Sequence, residues 1–179
     1  MALDRTKLTT DLGKLFRGDP AYPEHVEDAG PAWAAIYGAY ATNAQAASGP
    51  ITTPVAASFN AAVTALGGAW RTMFVAARGA GPAYLAQLLP AMANALTAFW
   101  PSVGFAKATP VTVGVAKSPP PGTLTDQLHD FFIAGNTEPR PAGDAQAARL
   151  AGILDDWTRT VTVVNTVTGN PSLPAINLS

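Results

Sequence analysis

Thr53-Pro-Val-Ala-Ala-Ser-Phe-Asn-Ala-Ala-Val-Thr-Ala-Leu-Gly-Gly-Ala-Trp-Arg-Thr-Met-Phe74 carries the most regular pattern in the chain. Val55, Phe59, Ala62, Val63, Leu66, Trp70, Met73 and Phe74 follow at three- and four-residue steps, the spacing that stacks side chains on one helix face. Thr53 is placed to cap this helix and Pro54 to take its first position. Gly67-Gly68 falls in the middle, where each glycine costs up to ~1 kcal/mol relative to alanine. A pair kept there implies close contact with another helix, or a kink.

The same texture extends outward from Gly30 to Ala106, where only Arg71 and Arg78 carry charge. Upstream, Pro31 opens a helix with Trp33, Ile36, Tyr37, Tyr40 and Ala44 on its buried stripe, stopped by Gly49-Pro50. Downstream, Arg78-Gly79-Ala80-Gly81 is a break and Pro82 starts another helix. Its stripe is Leu85, Leu88, Leu89, Met92, Leu96, Phe99 and Trp100, and Pro90 should kink it. Trp33, Tyr37, Phe59, Val63, Trp70, Leu85, Leu89 and Leu96 are therefore expected to share one core.

Charged segments flank this block. Before it, Asp4 caps a short helix with Leu8, Leu12, Leu15 and Phe16 inward, and Pro20 to Gly30 reads as an acidic loop. After it, Val111, Val113 and Val115 alternate with Thr112 and Gly114, which predicts a strand. Pro119-Pro120-Pro121-Gly122 is a stiff spacer. A fifth helix, capped by Thr123, carries Leu124, Leu128, Phe131 and Phe132. A sixth begins near Asp144 with Ala147, Leu150, Ala151, Leu154 and Trp157 inward, and it ends in Asp155-Asp156, read as exposed. Thr160 to Thr168 is rich in Val and Thr, strong strand vocabulary.

The fold expected is mostly α (α+β): an Ala-rich helical bundle of about six helices with a small β element formed by 110–116 and 160–168. Residues 1–159 form the helical domain, with 30–106 as its apolar core, 107–122 as strand and linker, and 123–159 as a helical pair. Residues 160–179 form a β-strand and an extended C-terminal arm.

Composition limits the functional classes. Charged residues make up 13% of the 179 residues, about half the usual share, so some of the surface is expected to be covered by another molecule. Net charge is −1, which gives no electrostatic basis for binding nucleic acid. The absence of cysteine excludes disulfides and thiolate metal sites. Met1 to Arg5 lacks the pattern of a secretory signal, so synthesis in the cytoplasm is expected.

No constellation supports an enzyme, and no catalytic, cofactor-binding or metal residue is assigned. His129 stands beside Asp130 and one turn from Asp126, half of a general-base pair, but no activated nucleophile accompanies it. A solvated histidine on a helix face is the better reading. Gly79-Ala80-Gly81 precedes a helix as phosphate loops do, yet lacks the Lys-Ser/Thr that such loops need. Gly79 to Ala106 is long enough to span a bilayer, with Tyr84 and Trp100 near its ends, but Gln87, Asn94 and two prolines argue for a buried bundle helix. A membrane-inserting or lipid-binding helical protein is thus the alternative reading, and the disfavoured one.

Three stretches carry a resemblance: Leu8 to Phe16, Trp33-Ala-Ala-Ile-Tyr-Gly-Ala-Tyr-Ala41, and Trp157-Thr-Arg-Thr-Val-Thr-Val163. Together they resemble small proteins encoded beside structural genes of tailed phages and of phage-tail-like contractile injection particles. The resemblance implies a structural subunit of a virion, tail or tail-like particle, with other subunits and copies of itself as partners. Thr160 to Ser179 adds its own argument, because an uncharged Thr/Val strand invites edge pairing. Val161, Val163, Val164 and Val167 are expected to join a sheet completed by another subunit, with Leu173, Ile176 and Leu178 extending along it. Pairing inside the chain with Val111 to Val115 is the competing expectation.

Overall fold

A computed structural model describes residues 3–17, 25–45, 53–78, 85–106, 113–135, 142–165 and 176–178. Among them are six helices: α1 (Arg5–Arg17), α2 (Val26–Ala41), α3 (Ala56–Ala77), α4 (Leu85–Phe99), α5 (Gly122–Gly135) and α6 (Gly143–Thr158). Each packs on its neighbours in sequence, and α1 lies between α6 and α2, so the six close into a ring. Five short strands form one antiparallel meander in the order β1 (Thr53–Pro54), β2 (Gly104–Ala106), β3 (Val113–Lys117), β4 (Thr162–Asn165) and β5 (Ile176–Asn177). The expected mostly helical fold with a small β element is what the chain adopts.

The closest packing joins α2 to α3. A Cβ added at Gly30 would lie 2.1 Å from the backbone nitrogen of Arg71, so the two backbones touch there. One turn on, Ala34 is fully buried, and a Cβ at Gly38 would meet the Val63 side chain at 2.8 Å. From the other side, a Cβ at Gly67 would stand 3.2 Å from Cα of Pro31. Small residues at four-residue spacing on α2 thus form a groove that admits α3. Gly67 occupies that contact, whereas Gly68 has nothing within 4 Å of its missing Cβ. Of the two expectations for the glycine pair, close contact holds, with α3 assigned as one helix from Ala56 to Ala77.

Aromatic rings bind the layers. Phe131 of α5, Phe16 of α1, Trp33 of α2 and Trp70 of α3 make successive edge-to-face contacts with centroids 6.1–6.5 Å apart. A second series runs Tyr40, Tyr37, Phe99 and Trp100, and ends where Trp100 stacks on Phe105 of β2 at 6.2 Å. This last contact fastens the sheet to the bundle. Tyr37, Phe59, Trp70, Leu89 and Leu96 share the core, with Trp33 and Val63 half-buried against it. The Leu85 side chain lies outside the described residues.

Several boundaries differ from the expectation. Asp4 does cap α1, its Oδ1 accepting the Lys7 amide at 3.0 Å. But α2 begins at Val26, five residues before Pro31, so Glu27 and Asp28 sit in its first turn, where the helix dipole favours carboxylates. Thr53 and Pro54 are not the start of α3; they pair with Ala106 and Phe105 as β1, and Val55 holds the N-cap position. Pairing with β2 leaves the pair extended, and Pro54 suits a strand with no neighbour on its other side. Thr123 lies inside α5 rather than capping it. The strands expected at 110–116 and 160–168 are found as 113–117 and 162–165, and 107–112 and 166–175 lie outside the described residues.

One glycine from each of the two helices provides a test with opposite signs. Gly30→Ala must force the backbones of α2 and α3 apart and should destabilise the protein by about 1–3 kcal/mol or more. Gly68→Ala meets open space and should stabilise it by up to about 1 kcal/mol through helix propensity. Urea denaturation of both variants checks the packing, and a Gly30→Ala protein as stable as the parent would refute it.

Candidate functional site

Two features stand out: a buried polar cluster and an uncharged helical face. The cluster is built where the C-terminal end of α6 meets α2. Trp100 Nε1 donates to the Tyr37 hydroxyl at 2.9 Å, and the Tyr37 and Thr158 hydroxyls lie 2.8 Å apart. Thr158 Oγ1 donates to the Leu154 carbonyl at 2.6 Å. Because Thr158 has one proton and gives it to that carbonyl, Tyr37 must be the donor to Thr158. Next to this chain, the Tyr40 hydroxyl donates to Asp155 Oδ1 at 2.5 Å, and Arg159 Nε donates to Asp155 Oδ2 at 3.0 Å. A second nitrogen of Arg159 reaches the Leu3 carbonyl at 3.2 Å, ahead of α1.

Asp155 is only 4% exposed, which corrects the reading of Asp155-Asp156 as an exposed helix end. Asp156 is exposed and lies 3.7 Å from Arg5, while Asp155 points inward. Ala151 and Leu154 already mark the buried face of α6, and Asp155 follows Ala151 by four residues, so its place on that face follows from helical spacing. The carboxylate is tolerated there because both oxygens are hydrogen-bonded and Arg159 balances the charge. The hydrogen bond to Asp155 raises the Arg159 pKa, against partial burial that acts in the opposite direction.

Burial pushes both phenols well above their ordinary value. For Tyr37, hydrogen bonds to Thr158 and Trp100 oppose the shift; for Tyr40, the bond to Asp155 and its negative charge add to it. The cluster holds α2, α6, the end of α4 and the segment entering α1 together. Its carboxylate is shut away from solvent with both oxygens hydrogen-bonded, and the cluster acts as a clasp between these elements.

The second feature is the outer side of α3 and α4. Ala57, Ala61, Thr64, Ala65, Gly68, Ala69, Thr72 and Ala76 are exposed along α3, and Asn94 and Ala98 along α4. Thr64, Thr72 and Thr97 each donate their hydroxyl to the backbone carbonyl four residues earlier, at 2.9–3.1 Å. Their polar groups are thereby satisfied within the helix. Ala65, Ala69, Ala95 and Ala98 line a shallow groove of about 120 Å³ between the two helices. Arg71 is the only charged residue within α3 or α4.

The residues expected to form an interface at 160–179 are placed differently. Val161, Val163 and Leu178 are buried in the chain's own core, at 0%, 2% and 3% exposure. Val164 is in register with Val115, and Ile176 with Val163. The described strands therefore pair with one another within one chain, and the arm expected from 160 onward begins as core. The physical reason is that β3 and β5 together satisfy both edges of β4 near Val163. Val167 and Leu173 lie outside the described residues.

His129 is half exposed, with Nδ1 3.7 Å from the exposed Asp130 carboxylate. Among the described residues no group of three or more His, Cys, Asp or Glu could hold a metal ion, and no helix is long and apolar enough to cross a membrane. The membrane-inserting alternative loses its structural basis in those residues. No protein family, curated protein or solved structure matches the chain.

The buried phenols predict an alkaline limit on stability. With native values raised above 10.0, Tyr37 and Tyr40 favour the folded state fully below about pH 10. Above it, the unfolded chain loses their protons first, and stability should fall by about 1.4 kcal/mol per pH unit for each phenol. Tyr40→Phe should remove half of that slope in urea titrations between about pH 10 and about pH 12, whatever it does to stability at neutral pH. An unchanged slope would show that Tyr40 is not buried as described.

Proposed function

We propose that this protein is a structural subunit that works by packing against other protein subunits, copies of itself among them. The virion, tail or tail-like particle is the setting that the sequence resemblance implies, with synthesis in the cytoplasm before assembly. The observation that supports this reading is the outer face of α3 and α4. A chain normally surrounds its apolar helices with charge on the solvent side; here the exposed residues of the 22-residue α3 are mostly alanine, glycine and back-bonded threonine, with Asn60, Val75 and a single arginine. Small side chains allow a neighbouring helix to approach closely and lose little side-chain entropy when they are covered.

The clasp supports the same reading from the opposite side. By fixing α2, α6 and the end of α4, it keeps the scaffold that carries α3 and α4 rigid. A face of small side chains on a fixed scaffold suits repeated packing more than chemistry.

Charge placed on the face tests the proposal. Ala65→Glu and Gly68→Glu project into solvent in the single chain, so neither should lower the melting temperature, and Gly68→Glu should raise it slightly through helix propensity. Sedimentation should show the parent as complexes larger than one chain and both variants shifted to smaller species. A parent protein that remains a single chain up to its solubility limit would overturn self-packing. Flotation with liposomes should leave the protein in the bottom fraction.

A further inference from the structure

The outer edge of the sheet holds a second contact of a different kind. β3 covers β4 over four residues, Gly114 to Lys117, whereas β5 covers its other side over two, Thr162 with Asn177 and Val163 with Ile176. The Leu178 amide then donates to the Val161 carbonyl at 3.1 Å, and Leu178 is buried. The seat for 176–178 therefore combines the backbone edge from Val161 to Val163 with an apolar site for Leu178. Main-chain pairing plus an apolar anchor is how strands are added to sheets.

Nothing in this seat discriminates by charge, since no Asp, Glu, Lys, Arg or His occurs from Thr160 to Ser179. Recognition is carried by geometry that every copy of the chain possesses. Residues 166–175 separate β4 from β5, and ten residues can span at most about 35 Å, enough to reach an adjacent molecule. Few hydrogen bonds hold a two-residue strand, so its release costs mainly the exposure of Leu178, which an identical seat on another copy restores.

We propose that this seat accepts the 176–178 segment of a second copy, so that assembled copies are linked by exchange of β5. The proposal rests on the assembly reading above and names a strand contact within it. Exchange replaces each internal contact by an identical one between chains, so local concentration decides between the two arrangements. A neighbour held on the α3–α4 face raises that concentration.

The chain has no cysteine, so an introduced thiol is unique. Thr162→Cys and Asn177→Cys are made as separate variants, mixed under assembly conditions and oxidised gently. Directly opposed residues bring their Cβ atoms to about 4.5–5.5 Å, close enough for a disulfide after slight adjustment. Exchange should give a two-chain product joining one of each variant, in a yield several-fold above either variant oxidised alone. A mixture that gives no such excess overturns it. Light scattering on the same samples separates the two claims: large complexes without the mixed product remove exchange alone, and single chains without it remove assembly as well. If either variant folds poorly, the parent protein is instead titrated with a labelled peptide of residues 172–179. Binding that is lost when the peptide carries Leu178→Asp sustains the proposal, and absence of binding overturns it.

Discussion

The contact between Gly30 and the backbone at Arg71 governs how this bundle closes. Two helices can approach to backbone contact only where no Cβ stands in the way, and the spacing Gly30, Ala34, Gly38 keeps the α2 side chains small over about two turns. With α2 set this deeply against α3, the Trp33 ring lies within reach of both Trp70 and Phe74. Its far side meets Phe16, which in turn meets Phe131. The position of α1 and α5 thus follows from a contact between two other helices. Close packing also turns the remaining small residues of α3 outward, which is why one helix can have both a deeply buried face and a plain exposed one.

The polar clasp completes the closure with a different force. Hydrophobic burial is indifferent to rotation of a helix by a few degrees, but hydrogen bonds are not. Tyr37 and Tyr40 lie three residues apart on α2 and find Thr158 and Asp155, likewise three apart on α6. Two bonds at matched spacing set the rotation and the offset of these helices together. A buried carboxylate in the last turn of α6 would be unfavourable by itself, since the helix dipole is negative there. Arg159, four residues on, neutralises it and also holds the chain ahead of α1.

The sheet draws on both devices. Phe105 stacks on Trp100, the residue whose indole N–H feeds the clasp, so the meander and the polar cluster share one side chain. The Thr160 to Ser179 region, which lacks charge, is secured through Val161, Val163 and Leu178 in the core of the same chain. A long uncharged strand left open would be an aggregation hazard. β5 covers that edge at Thr162 and Val163, next to the buried Leu178.

Helical spacing was legible in the sequence wherever one face is apolar. Leu8 and Leu12, the α3 stripe from Phe59 to Trp70, Leu124 with Leu128, and the α6 stripe from Ala147 to Trp157 point inward as read, whereas Val55 at the head of the α3 pattern is exposed. The helical class, the helix count and the two longer strands follow from that pattern and from alternation of valine. Other features depend on residues far away in the chain. Thr53-Pro54 is a cap signal locally and a strand because β2 lies beside it, and Val26 to Gly30 reads locally as an acidic loop but forms the first turns of α2, with Gly30 against Arg71. Asp155 is an acid at a helix end until Tyr40 and Arg159 surround it. Local propensities of such residues differ by about 1 kcal/mol or less, and partners supplied by the tertiary fold outweigh them. Which faces are apolar was therefore determined by the sequence alone; which of them is covered, and by what, was decided by the packing of elements far apart in the chain, from Gly30 on Arg71 to Tyr40 on Asp155.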